Sequence, residues 1–312
     1  MTTVYYGEAL SAYGFGEGHP FGPDRLDAFW NAACLSGLDR KVQIAEPVTA
    51  NRQELELFHT STYIDKLISL SSLGSGNLDC GDTPAFPGIY ESACTVAGSV
   101  LDGARRIMSG NTNRVFVPIA GLHHARRNTA AGFCAVNDIG ILIEALRRNH
   151  GIRRIAYVDI DAHHGDGVFY EYEGDPDIFI ADIHEDGNYL YPGTGSSSER
   201  GCGRAEDTKL NLPLTPPHVY DEDFFPAWNE IESFLAIARP EFIILQAGAD
   251  SILGDPITHM GLTPAAHRHA THRLCGIADK HCQGRLLVTG GGGYNRRNIA
   301  DAWTAVLRAL IE

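Results

Sequence analysis

Short apolar runs recur along the chain, and most stop abruptly at polar residues: Val4-Tyr5-Tyr6, Val115-Phe-Val117, Ile155 to Ile160, Ile178-Phe-Ile180, Phe242-Ile-Ile-Leu245 and Leu286-Leu-Val288. Runs this short, apolar on consecutive positions, predict strands buried on both faces. Stretches with helical spacing lie between them. One opens at Pro23-Asp-Arg25 and runs to about Ser36, with Leu26, Phe29, Trp30 and Ala33 on one face. A second, rich in Ala and Val, spans Tyr90 to Met108, after a loop-like segment from Gly74 to Gly88. Asn137 is suited to cap a third that reaches Asn149. Strands alternating with helices specify an α/β fold with a mainly parallel sheet covered on both faces. With no Pro/Ser-rich linker and no internal repeat, residues 1–312 read as a single domain.

In open α/β sheets, ligands bind beyond the carboxyl ends of the strands, so the residues that terminate the apolar runs are the candidates for chemistry. After Ile160 come Asp161, His163, His164 and Asp166. Asp161 and His163, two apart, are able to aim an oxygen and an imidazole nitrogen at one point, which suits a divalent metal; an Asp-His capping detail is the plainer alternative. Several ionisable groups packed so closely are costly to bury without a metal or tight pairing. His123-His124 follows the run ending at Val117, Asp182-Ile-His184 follows Ile180, and Gln246-Ala-Gly-Ala-Asp250 follows Leu245, with Asp255 beyond. Gly290 to Gly293 precede Tyr294, without the order of a dinucleotide fingerprint or a phosphate loop. They let the backbone pass close to a ligand and present the phenol, although Tyr294 could equally be a packed aromatic. Arg25 opposes the dipole at its helix start, which points either to a specific partner or to a solvated side chain. Asp82 reads as a turn former on its own, and His259, His267, His269, His272 and His281 as mostly a solvated helix face.

Charge and cysteine content narrow the classes. A formal net charge of -14 at pH 7 argues against general affinity for nucleic acid or an anionic membrane and leaves a cationic or neutral substrate. No run is long enough to span a bilayer and the N-terminus lacks a signal-peptide pattern, so a cytoplasmic chain is expected. The 7 cysteines contain no Cys-x-x-Cys pair and read as reduced; Cys134 stands out for its neighbours. Nothing in the pattern indicates an oligomeric state.

Taken in order, His19-Pro-Phe-Gly-Pro-Asp-Arg25, Gly121-Leu-His-His-Ala125, Gly132-Phe-Cys134, Asp159-Ile-Asp-Ala-His-His-Gly-Asp-Gly167, Pro192-Gly-Thr-Gly195, Gly248-Ala-Asp250 and Gly290-Gly-Gly-Gly-Tyr-Asn295 resemble the zinc-dependent deacetylases of the histone deacetylase and acetoin-utilisation superfamily. The resemblance covers nearly the whole chain. It implies a three-layer arginase/deacetylase-like α/β fold and a hydrolase that removes acetyl or related acyl groups from lysine or other primary amines. It implies Zn²⁺ on Asp161, His163 and Asp250, with His123 and His124 beside the attacking water and oriented by Asp159 and Asp166. Of that pair, His124 would be the general base and acid. Tyr294 would stabilise the oxyanion, Phe133 (after Gly132) and Tyr191 would line an acyl-lysine tunnel, Asp82 would grip the substrate backbone at the rim, and Arg25 would lie near the acetate exit. A structural potassium ion is implied near Asp159, Asp161, His163, Asp182 and the Ile183 carbonyl, but many relatives carry serine where this chain has Asp182. Ile257 replaces the acidic gatekeeper of one polyamine-deacetylase branch, which argues against that mode of selection; Glu17, Glu185 or Asp186 could supply acidity from other loops. A small-molecule amide deacetylase and a non-catalytic acyl-lysine binding module are the alternatives. An inert module could dispense with Tyr294 or a tandem histidine, and all are present. A binuclear manganese ureohydrolase on the same fold would need more bridging carboxylates than can be placed around Asp250 and Asp255.

Overall fold

The computed structural model describes residues 1–217 and 219–312. Eight parallel strands, β1 (Thr2–Tyr5), β2 (Gln43–Ala45), β3 (Arg114–Val117), β4 (Ile155–Asp159), β5 (Ile178–Glu185), β6 (Lys209–Leu214), β7 (Phe242–Gln246) and β8 (Leu286–Thr289), form one sheet in the order β2-β1-β3-β8-β7-β4-β5-β6. The four expected runs at β3, β4, β7 and β8 are its centre. Their fully buried Val, Ile, Leu and Phe side chains explain why the sequence there shows no alternation. β2 and β6 were not legible as strands. Both are edges: β2 has three residues, two of them exposed, and β6 alternates Leu with Lys, Asn and Pro, which an edge tolerates.

Two groups of helices cover the sheet. Ile89–Met108 and Asp138–His150 pack on each other, and the former also packs on β3. Arg296–Ile311 packs between Arg25–Leu35 and Pro264–His281. The start signals act as the sequence suggests: the Asn137 side chain accepts from Gly140 N at 2.8 Å, and Asn295 caps the last helix directly after Tyr294, accepting from Arg297 N at 3.0 Å. That last helix is tied to the site by the buried Trp303, whose indole donates to Ala247 O at 3.1 Å in the segment leading to Asp250.

Register decides where the chemistry falls. Asp159 lies opposite Asp182 on β5 and Gln246 on β7, and Gln246 lies opposite Thr289 on β8. The carboxyl ends of β4, β7, β8 and β3 are therefore level, with β5 running on to Glu185, and the segments leaving them converge at one end of the strands.

Candidate active site

Asp161, His163 and Asp250 come together as the sequence suggested. They offer ligand atoms within 4.8 Å of one another, and all three are buried. His163 Nδ1 is 3.0 Å from Asp161 Oδ1 and 3.2 Å from Asp250 Oδ2. Other groups fix each carboxylate: Asp161 Oδ2 accepts from Gln246 Nε2 and from Gly292 N, both at 2.7 Å, and Asp250 Oδ1 accepts from Ala162 N at 2.9 Å. Burial, then repulsion from Asp161, pushes the Asp250 carboxyl up to about 7. A divalent cation among these donors would relieve that repulsion. The glycines leave room for the arrangement, since a Cβ on Gly292 would lie 2.1 Å from Asp250 Oδ2 and one on Gly248 2.1 Å from Asp161 Oδ2.

Both tandem histidines point into the same centre, each with its own acid. His123 Nδ1 is 2.8 Å from Asp159 Oδ2, and His124 Nδ1 is 2.7 Å from Asp166 Oδ1. Asp159 Oδ2 also accepts from the Tyr157 hydroxyl, while Asp166 Oδ2 accepts from Arg126 Nη2 at 2.9 Å. The two Nε2 atoms lie 3.1 Å apart, so one ring must donate and the other accept there. The two rings sit in different electrostatic environments. Burial disfavours charge on His123, but the Asp159 and Asp161 carboxylates outweigh it and raise the ring to about 9. Burial, with the His123 charge alongside, takes His124 down to about 4 against the pull of Asp166. On that reading His123 donates from Nε2 and the neutral His124 ring accepts there.

Tyr294 enters from the glycine run, its N–H held by Asp255 Oδ2 at 2.9 Å. Burial, then the Asp250 and Asp161 charges, keeps its phenol protonated well above the ordinary range. Its ring meets that of Phe133 edge-on at 5.9 Å, and Tyr191 packs edge-on against His124 at 5.1 Å. These aromatics bracket the centre. Asp82 is exposed on its loop; burial of part of its surface and a hydrogen-bonded contact with Asp79 raise it to about 6. Ile257 is part-buried in the segment after Asp250, its N–H on Asp255 Oδ1 at 3.1 Å.

Arg25 has the specific partner. It is fully buried, and it donates from Nε to Gly293 O at 2.9 Å and from Nη2 to Gly291 O at 2.6 Å, with its guanidinium 3.9 Å from the Phe21 ring centroid. The solvated reading of the later histidines holds only in part. His267 is fully buried with Nε2 2.6 Å from Gly248 O, because its helix face packs under the Asp250 segment. His259 lies before that helix, and its backbone N and Nδ1 meet the buried Glu185 at 2.8 Å and 2.7 Å. Glu185 is therefore not an acid of the rim. Asp182 is committed too: Oδ1 is 2.7 Å from His184 Nδ1 and Oδ2 accepts from Gly165 N at 2.9 Å. Since His184 Nε2 is 2.9 Å from Gly195 O, both ring nitrogens face acceptors, the pattern of an imidazolium. Gln246, Arg126 and Asp255 belong to the site but were missed as site residues, for their contacts to Asp161, Asp166 and Tyr294 span 85, 40 and 39 positions and leave no local spacing; Tyr157, only two positions from Asp159, was read simply as part of a buried apolar strand.

The parallel sheet with these groups at its carboxyl edge defines a hydrolase of the arginase/deacetylase-like α/β class. Residues 19–310 match the family described as the histone deacetylase domain. The chain is 34% identical over 97% of its length, and 79% of the relative's, to the acetoin utilization protein AcuC of Bacillus subtilis (strain 168). It is 32% identical over 97% of its length, and 75% of the relative's, to histone deacetylase clr6 of Schizosaccharomyces pombe. The crystal structure of the HDA15 HD domain superposes with a TM-score of 0.91 at 30% identity, covering 99% of this chain and 88% of that one. The chain belongs to the histone deacetylase family, and as such is a deacetylase-class hydrolase.

Proposed function

We propose that the chain is a zinc-dependent amidohydrolase that removes acetyl or related acyl groups from lysine side chains or other primary amines. The observation that carries this reading is the convergence of the buried Asp161, His163 and Asp250 donors with the two acid-paired histidines and Tyr294. One imidazole nitrogen and two carboxylates fit Zn²⁺, and three protein ligands leave positions open for a reaction. When bound, zinc would supply Lewis acidity toward a carbonyl oxygen and would acidify water.

The chain's own residues account for the rest. His124, neutral and fixed by Asp166, takes a proton from the attacking water and returns it to the departing amine. His123, held as a cation by Asp159, stabilises developing negative charge; its Nε2 contact with His124 opens when water enters, which frees the His124 lone pair. Tyr294 donates its hydroxyl to the substrate carbonyl oxygen, which gains charge as water adds, so the interaction is stronger in the transition state than in the ground state. Phe133 and Tyr191 form two flat walls suited to an alkyl chain, and Asp82 is available to backbone amides at the mouth. Potassium fits this chain less well than zinc does. Asp182 already has the His184 imidazole as its positive partner, and no role is assigned to a monovalent ion.

The test is acetate release from an acetyl-lysine peptide. We expect activity that a chelator abolishes and zinc restores, with about one zinc per active chain. Tyr294→Phe should cost about 2–4 kcal/mol in transition-state stabilisation, the usual scale for one oxyanion donor. No acetate from any member of a panel of acetyl-lysine peptides, acetylpolyamines, longer acyl-lysines and aryl amides would support the binding-module reading instead.

A further inference from the structure

Phe133 stands in a backbone conformation that a side chain disfavours. Ala131 and Cys134 form an isolated antiparallel bridge, with Cys134 N donating to Ala131 O at 2.8 Å, and the two residues between them have positive φ: 53° at Gly132 and 66° at Phe133. That is the tight turn of a two-residue hairpin, in which both central positions are left-handed. Glycine fills the first without strain, and a Cβ there would lie 2.4 Å from His124 Cδ2. Phenylalanine at the second pays a steric penalty that surrounding contacts must offset.

Those contacts come from two distant segments. The buried Tyr13 hydroxyl donates to Phe133 O at 2.8 Å and accepts from Ala135 N at 2.8 Å, spanning the residue that follows the turn. Phe133 N donates to Thr83 Oγ1 at 3.1 Å. Thr83 is itself anchored, its hydroxyl donating to Asp79 Oδ2 at 2.5 Å, while Asp79 Oδ1 accepts from the N–H groups of Gly81, Asp82 and Thr83 at 2.9, 3.2 and 3.1 Å. The Phe133 N–H and C=O are thus both held by side chains, and its ring is directed edge-on to His19 at 4.5 Å and to Tyr294 at 5.9 Å.

We propose that Tyr13 and Thr83 are positioning residues for substrate: by clamping the left-handed Phe133 they set one wall of the passage that receives the acyl-lysine stem. This rests on the deacylase reading above. Neither residue touches the histidines or the metal ligands, so the clamp acts on binding of the alkyl stem rather than on proton transfer.

The experiment is a double-mutant cycle in the full chain, reading KM and kcat separately. Tyr13→Phe removes one hydroxyl, and should raise KM for an acetyl-lysine peptide about tenfold with kcat within about twofold, the signature of lost ground-state binding. Phe133→Ala should raise KM similarly, and adding Tyr13→Phe to it should have no further effect, because the clamp then has no ring to place. Turnover of a short aryl acetamide without an alkyl stem should not change in Tyr13→Phe. Thr83→Val and Thr83→Ser give a second reading should Tyr13→Phe fold poorly: valine should raise KM and serine should restore it. Additive effects in the cycle, equal KM shifts for the aryl acetamide, or valine and serine behaving alike would overturn the proposal. Lack of acetate release by the unmodified chain would instead remove the deacylase reading on which it depends.

Discussion

His123 and His124, adjacent residues of one type, are shifted in opposite directions by their surroundings. Both rings are buried and both face a carboxylate, but Asp159 and Asp161 act together on His123, whereas His124 lies against the resulting charge and its acid is shared with Arg126. His124→Ala should therefore reduce kcat at least about a hundredfold, the scale of acid–base catalysis, with little change in the melting curve. Near-normal steady-state rates in that variant would take His124 out of the mechanism. At this scale the sequence was informative where one short segment carried the pattern. Asp161, His163, Asp166 and the tandem histidines were identifiable from spacing at strand ends, and Asp250, Tyr294 and Phe133 acquired their roles from the family resemblance. Thr83 and Tyr13 were silent, because a hydroxyl that braces a backbone 50 or 120 positions away has no signature of its own.

The elements were legible in proportion to their burial. β4 and β7, apolar at nearly every position, were plain, while the edge strands β2 and β6 were hidden by exposure and by Pro213. What no periodicity encodes is how closely neighbouring segments approach beyond the strands. The segment after β8 passes so close to the centre that Gly292 donates its N–H to Asp161 and leaves no space for a methyl group beside Asp250. Gly292→Ala must displace the Asp250 carboxylate, the proposed zinc ligand, or the segment carrying Tyr294. The expected outcome is a folded chain that retains less zinc after dialysis, measured by metal analysis, and loses activity in step with it. Full zinc content in that variant would show that the backbone yields here without disturbing the ligands.

At the scale of the whole molecule, the buried histidines outside the catalytic centre couple stability to pH. His59 is almost fully buried between the Phe58 and Tyr63 rings, and its Nε2 accepts from Asn137 N at 2.9 Å, so the neutral ring helps seat the helix that follows the tandem histidines. Burial is the main reason that its pKa falls to about 4; the Arg127 charge adds to it, and backbone acceptors at Arg127 and Arg126 oppose it. Above about pH 6.5 the ring is neutral in folded and unfolded chains alike and contributes no pH dependence. Between about 6.5 and 4 the unfolded chain takes up a proton that the folded one refuses, so stability falls as pH falls through that window. Asp138, which burial raises to about 6, acts in the opposite sense over part of the range, losing stability as pH rises. The His59 contribution is therefore isolated by comparison with a variant. His59→Gln keeps an acceptor for Asn137 but cannot ionise, and it should be less stable than the parent at pH 8 because the packed ring is lost. Moving both to pH 5 should narrow that gap by about 2 kcal/mol, at roughly 1.4 kcal/mol per pKa unit, as read from denaturation midpoints at the two pH values. A gap unchanged between pH 8 and pH 5 would mean that the folded chain protonates His59 as readily as the unfolded one, and that acid destabilisation arises elsewhere.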